Sequence, residues 1–411
     1  LKKKALYIIG LFLIGFIGIK LFQYTTGPTE EYSDLKVIAY HYNGQGYIGS
    51  ATCMECHKDI YETHIKTAHY NTSVFTNIDN IKGSLKTGEN VVSLQDADIT
   101  ITERDGKPFQ HAQIKYGDKS TFDWGMDITI GSGLKGQSYL TDQSDGLFQL
   151  QASYFVPTDE WINSPNYTNR LNPLRPVNDM CLKCHVTFAR SKDNASNKNQ
   201  YDITKMVLGV DCEKCHGPAE KHVAFQRNST GANGIDSSLV NLTSLSRQQS
   251  LDLCASCHSG LRNNQIRNPF TFLPGDTLSN FSKNYQSLRP SKTLDVHGNQ
   301  YGLLISSKCF TASDQMDCIT CHDPHKNQRN EQEYFNSKCL SCHKQGDMHC
   351  TLPSTKMGKN GSNCIQCHMP VIPSKNMQVQ LKTLENATPI GIRTHLIAVY
   401  PDRSVDEIQV E

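Results

Sequence analysis

Seven times in this chain two cysteines stand three residues apart with a histidine directly after the second. The sets are Cys53, Cys56 and His57; Cys181, Cys184 and His185; Cys212, Cys215 and His216; Cys254, Cys257 and His258; Cys318, Cys321 and His322; Cys339, Cys342 and His343; and Cys364, Cys367 and His368. Two thiols at that spacing can add to the vinyl groups of one porphyrin as thioethers, and the adjacent imidazole then falls beneath the iron as its axial ligand. The pattern therefore predicts seven covalently attached c-type haems (heme c), numbered I to VII in chain order. Zinc also uses paired C-x-x-C motifs, but it has no need of a histidine in the same place seven times over.

Fourteen of the 16 cysteines belong to these sets. The other two, Cys309 and Cys350, are expected to bridge, because disulfides persist in oxidising compartments. Nine of the 16 histidines are also left over: His41, His64, His69, His111, His222, His297, His325, His349 and His395. A second axial ligand must approach a haem from the face opposite its attachment site. His325 follows His322 by three residues, too few to round a ring about 10 Å wide at about 3.3–3.6 Å per residue, and Pro324 stiffens that turn. His325 is therefore expected to bind a neighbouring haem, and His222, six residues after His216, likewise. His69, His395, His297 and His349 complete the expected ligand set. His41 reads as a surface side chain, and His64 and His111 fit either role. Methionine is the alternative axial ligand; Met369, next to His368, is the notable one.

The elements that must hold these residues are sparse. Lys2, Lys3 and Lys4 precede the apolar run 5–19, which with residues to Phe22 makes a helix of roughly 27 Å, enough for a bilayer core. Residues 1–22 are expected to be an N-terminal membrane anchor with the lysines in the cytoplasm. A cleavable signal peptide is the competitor, but no small-x-small cleavage site follows. Residues 23–46 read as a linker and 47–83 as the haem I segment. Residues 84–157 read as a small antiparallel β insert, with alternating strands around Asp105-Gly106 forming a hairpin. Residues 158–411 hold haems II to VII, with a helix capped by Ser246 leading into Cys254. The expected fold is mainly α and irregular, wrapped around the haems, with the β insert and the N-terminal transmembrane helix added.

Hydrophobic residues are 37% of the chain and mean hydropathy is −0.49, below the roughly 45–50% apolar content of ordinary globular chains. Macrocycles would supply the missing apolar interior, so the haem-free chain is expected to be largely unfolded. A formal charge of +1 provides no basic stripe for nucleic acid.

Several phrases between the cysteine motifs carry a resemblance. Tyr47-Ile-Gly-Ser, Lys66-Thr-Ala-His69, Ile130-Gly-Ser-Gly-Leu-Lys-Gly-Gln-Ser-Tyr-Leu, Cys212-Glu-Lys-Cys-His-Gly-Pro-Ala-Glu-Lys-His-Val, Cys318-Ile-Thr-Cys-His-Asp-Pro-His and Cys364-Ile-Gln-Cys-His-Met-Pro resemble a large family of exported multihaem cytochromes c. That family is related to cytochrome c-554, the tetrahaem electron acceptor of hydroxylamine oxidoreductase, and the resemblance covers roughly residues 47–400. It implies that His222 and His325 supply distal ligands to neighbouring haems. All seven motifs end in histidine, whereas multihaem nitrite reductases carry lysine at the catalytic haem, and no crosslinking tyrosine of the hydroxylamine-oxidising type can be placed.

The expected function is electron transfer along closely spaced haems, with the haem domain in the periplasm and an anchor in the bacterial inner membrane. Other redox proteins are the expected partners: a quinol dehydrogenase or another quinol-linked donor, and a further cytochrome or a reductase as acceptor. The competing reading is an oxidoreductase acting on a small nitrogen or sulfur compound at one five-coordinate haem. A third is a subunit that docks other cytochromes through the β insert.

Overall fold

The computed structural model describes residues 35–192, 199–228, 236–260, 264–283, 294–343, 363–381 and 387–400. The expected mainly α fold is not what forms. Strands take about 26% of the described residues and helices about 28%, and the strands reach well beyond the expected insert. Among the described residues no helix is long and apolar enough to cross a membrane; the expected transmembrane helix falls at residues 1–22, outside the described residues.

Two antiparallel sheets form the main β body. One has four strands in the order Val91–Ser93, Ala97–Arg104, Lys107–Ile114, Thr121–Gly125. Its central hairpin turns at Asp105 and Gly106, both with positive φ (54° and 74°), the backbone of a tight turn that matches strand twist. Ala97–Arg104 alternates buried and half-buried as far as Thr102 and ends on two exposed residues, as a strand with one covered face does up to its turn. The second sheet has seven strands and includes Ser73–Phe75, Ile128–Ile130, Gly136–Gln143, Gly146–Gln149, Ala152–Phe155, Glu160–Asn163 and Arg175–Pro176.

Ile99, Ile101, Ala112, Tyr139, Leu150, Ala152 and Trp161 form one buried cluster in this β body. Trp161 is 1% exposed, and its indole N–H donates to the Ser84 carbonyl at 2.8 Å. Gly83 lies so close that a Cβ there would meet the indole at 2.4 Å. Removing a buried indole costs about 3–5 kcal/mol. Trp161→Ala is therefore expected to lower the thermal unfolding midpoint, read by far-ultraviolet circular dichroism, while the number of attached haems stays the same.

The seven-stranded sheet is also the frame of the cysteine motifs. Ser73–Phe75 follows His69, and Arg175–Pro176 leads into the helix Asp179–Leu182 that bears Cys181. Leu182, Val186 and Phe188 share a core with Ile128, Leu140 and Leu147 of the sheet. Residues expected to be a free linker join it. Ala39–Tyr40 pairs with Gly46–Tyr47, and Ala39 and Tyr47 are buried in the same core. At the other end, Val371–Val379 pairs with Thr388–Arg393, with a register shift between Pro373 and Gln378. This hairpin is a further departure from the expected fold. Proline cannot donate to a ladder and sits at edges or bulges.

Candidate metal centres

Helical geometry places a cysteine three residues on, and a histidine four on, along one side of a single turn. The motifs use this. Cys212–His216 and Cys364–His368 are each one short helix. Arg247–His258 and Gln332–Cys342 end on their motifs. Ser246 caps the first of these longer helices, its side chain and that of Gln249 bonding reciprocally to each other's backbone N–H. Motif 318–322 lies in turns, with the His322 N–H donating to the Cys318 carbonyl at 3.0 Å.

Among the described residues, four motif histidines face a second imidazole. His57 faces His222, ring centres 6.5 Å apart and planes 20° apart. His216 faces His325 at 6.1 Å and 19°. His258 faces His69 at 6.0 Å and 64°, and His322 faces His395 at 6.2 Å and 29°. Two imidazoles on one iron, each nitrogen about 2 Å from it, set ring centres about 6 Å apart. The spacing fits a metal between the rings rather than direct ring stacking. Among the described residues no group of three or more His, Cys, Asp or Glu side chains is arranged to hold a metal ion by itself; two imidazoles suffice where a macrocycle supplies the other four donors.

His185 has a different setting. Burial keeps its ring below the ordinary histidine pKa against the opposing pull of Cys257 and the Thr72 backbone, and His297 adds a smaller lowering. His297 is itself lowered by burial. His69 and His395 are pushed down to about 4, by burial first and then by His258 and His322 respectively. Burial also lowers His216 and His322. These rings are neutral near pH 7, the form with a free lone pair for iron.

Outer partners fix which ring nitrogen is free. Thr72 Oγ1 lies 3.0 Å from His185 Nδ1, Gln300 Oε1 3.1 Å from His258 Nδ1, and the Ala398 carbonyl 2.8 Å from His368 Nδ1. The Asp236 carboxylate lies 2.5 Å from His222 Nδ1. Burial would raise the Asp236 pKa, but hydrogen bonds from Ser238, His222 and Gln226 outweigh it and bring the group down to about 2. Each contact leaves Nε2 as the nitrogen available to a metal.

The cysteines also touch between motifs. The free Cys53 thiol lies within hydrogen-bond reach of Cys212, as Cys184 does of Cys257, Cys254 of Cys318 and Cys339 of Cys364. At slightly longer range Cys215 feels Cys257, and Cys339 feels Cys321. Acidic side chains hold the segments together. The buried Glu213 carboxylate accepts N–H groups from Ile48, Gly49 and Ala219 at 3.1, 2.8 and 2.8 Å. Burial pushes Glu213 up to about 7 against the pull of those donors. Asp211 accepts from Ser50 N–H at 3.0 Å and Glu220 from Gly46 N–H at 3.0 Å. The segment 46–50 leading into motif 53–57 is thus fastened to motif 212–216 and its following turn by backbone N–H groups.

The remaining sequence candidates fall as follows. His41 is buried rather than on the surface, 4% exposed, its ring near Tyr42, Tyr47 and Phe188. The short ladder of residues 39–47 covers it, too brief to be read from hydrophobic alternation. His64 is buried, its Nε2 3.2 Å from the Val210 carbonyl and its ring edge-on to His325. His111 lies in the four-stranded sheet with Nδ1 2.8 Å from Asp123. His349 and Cys350 lie outside the described residues, and with them the expected bridge to Cys309.

The family model described as Cytochrome c554 and c-prime matches residues 162–217. No curated protein matches the chain. Among solved structures, that of the outer cell wall cytochrome OcwA aligns with a TM-score of 0.50 and 16% identity, covering 85% of this chain and 79% of that one. That likeness concerns the fold. Family match, fold and facing imidazoles together support a multihaem c-type cytochrome, and covalently bound c-type haem goes with it.

Proposed function

We propose that this chain is a seven-haem electron-transfer protein of the periplasmic side of a bacterial inner membrane. It would carry electrons between a quinol-linked donor and another cytochrome or a reductase. When bound, each haem supplies an iron that cycles between ferric and ferrous states. The chain's share is to attach the groups, set their order, supply their axial imidazoles and keep neighbours close.

The observation that carries this reading is the closeness of cysteines from one motif to the next. Motif 53–57 meets 212–216, which approaches 254–258. That motif meets both 181–185 and 318–322. Motif 318–322 approaches 339–343, which meets 364–368. No motif stands apart, as a conduit requires and a set of independent metal sites does not. Three lysines followed by the apolar run 5–19 support export, where haem is attached to such motifs.

The test is a count and an interruption. Mass spectrometry of the mature protein is expected to show seven attached haems, and potentiometry to show all of them reducible. Motif 254–258 is the branch point of the series. Stopped flow is expected to show a single reduction transient, which Cys254→Ala with Cys257→Ala should split into separate fast and slow populations. Four or fewer haems, or an unchanged single transient in that variant, would remove the reading.

A further inference from the structure

We propose that Arg247 and Ser250 are positioning residues for electron transfer between haems IV and V, acting as a clamp that sets how motif 318–322 stands on the helix of motif 254–258. The proposal rests on the conduit reading above and deepens it by naming the residues that fix one of its steps.

The helix Arg247–His258 carries Arg247, Ser250 and Cys254 at i, i+3 and i+7, positions that share one face. All three meet the segment that ends in motif 318–322. Arg247 Nε donates to the Met316 carbonyl at 2.7 Å and Nη2 to the Phe310 carbonyl at 3.3 Å. The same guanidinium lies 4.1 Å from the centre of the Phe310 ring. Ser250 Oγ donates to Asp317 Oδ2 at 2.9 Å, and Cys254 lies within hydrogen-bond reach of Cys318.

Asp317 carries the clamp into the motif itself. Its other oxygen, Oδ1, accepts the Thr320 N–H at 2.9 Å, and the Thr320 hydroxyl accepts the Asp317 N–H at 3.1 Å. Thr320 stands between Cys318 and Cys321, so one carboxylate joins the helix to the attachment turn. Motif 318–322 lies in turns, and its place is set by these contacts and by packing of Phe310 and Cys318 on the buried Leu251, Ala255 and Tyr301. Arginine is the residue this needs: a planar guanidinium can span two carbonyls and stack on a ring, which a lysine ammonium cannot do at once. The other arm leaves the helix through Cys257, 3.4 Å from the Lys183 carbonyl. Loosening the clamp should therefore slow the step between haems IV and V and spare the step between haems IV and II.

The experiment uses the full-length protein with its haem count already measured. The imidazole planes of haem IV stand 64° apart, against 20°, 19° and 29° for haems I, III and V, so electron paramagnetic resonance should give haem IV a low-spin ferric signal separate from theirs. Removing haem V by Cys318→Ala with Cys321→Ala should slow the spin relaxation of that signal, because a paramagnetic neighbour is lost. Arg247→Met with Ser250→Ala should slow it as well, with seven haems still attached, and stopped-flow reduction should gain a slow component. Unchanged relaxation and an unchanged transient in a seven-haem variant would overturn the proposal, whatever happens to its unfolding midpoint. Should the double variant lose haems, Arg247→Lys decides: it keeps the charge and one donor and should show part of the same slowing, and wild-type signals in it would overturn the proposal. A wild-type count other than seven, or a wild-type transient already split, would instead sink the function proposed above.

Discussion

Replacing His325 by alanine is expected to open haem III and to leave haem V six-coordinate. His325 follows Cys318, Cys321 and His322 by so few residues that intuition assigns it to their haem. Its ring, however, faces His216 at 6.1 Å with nearly parallel planes, and His322 already faces His395 at 6.2 Å. The loop that carries it is fixed: the His325 N–H donates to Asp323 at 3.0 Å, and the Asp323 N–H donates to Gln328 at 2.8 Å. His64 lies edge-on at 6.2 Å, with its Nε2 3.2 Å from the Val210 carbonyl.

His325→Ala should therefore convert one low-spin ferric haem to high spin and add one cyanide site per chain. Magnetic circular dichroism combined with loss of individual motifs locates the change. The high-spin signal should vanish when Cys212 and Cys215 are also replaced, and should survive replacement of Cys318 and Cys321. The opposite pattern would show that His325 serves its own haem. His395→Ala is the matching control, since it removes the ring facing His322 and leaves His216 and His325 in place.

The motifs were legible because covalent attachment demands five consecutive residues, and nothing else in the fold has to be known. The argument that His325 serves a neighbour also needs only local chain length. That the neighbour is His216 depends on contacts across more than a hundred residues, which no local pattern carries. The strands outside 84–157 were hidden for several reasons. Ala39–Tyr40 and Gly46–Tyr47 are two residues each, below any detectable alternation. Val371–Val379 contains Pro373, which argues against a strand until its register shift is seen. Ser73–Phe75 is a strand only because Ile128–Ile130 lies beside it. A buried His41 was missed for the same reason as the ladder that covers it.

A chain made without haem attachment should not unfold uniformly. The β body has a core of its own, with Ile99, Ile101, Ala112, Leu150 and Ala152 fully buried and Trp161 at 1% exposure. Its hydrogen bonds are those of two sheets, and no motif cysteine or histidine enters that cluster. The cysteine-bearing segments lack such support. Their helices run from four residues, as in Ser50–Cys53 and Asp179–Leu182, to 12 in Arg247–His258. Isolated helices shorter than about 12–15 residues are marginal in water. Around Arg247–His258 the buried cluster is small, made of Leu251, Ala255, Leu278, Phe281 and Tyr301. Attached macrocycles would supply the rest of that interior, and binding then becomes folding free energy. Amide hydrogen exchange on the haem-free chain is expected to show slow exchange confined to strands within 91–163, with residues 212–260 and 300–343 exchanging at close to unfolded rates. Strong protection across 247–258 without haem would contradict this, because it would mean that five buried residues and one capped helix fold without the groups they surround.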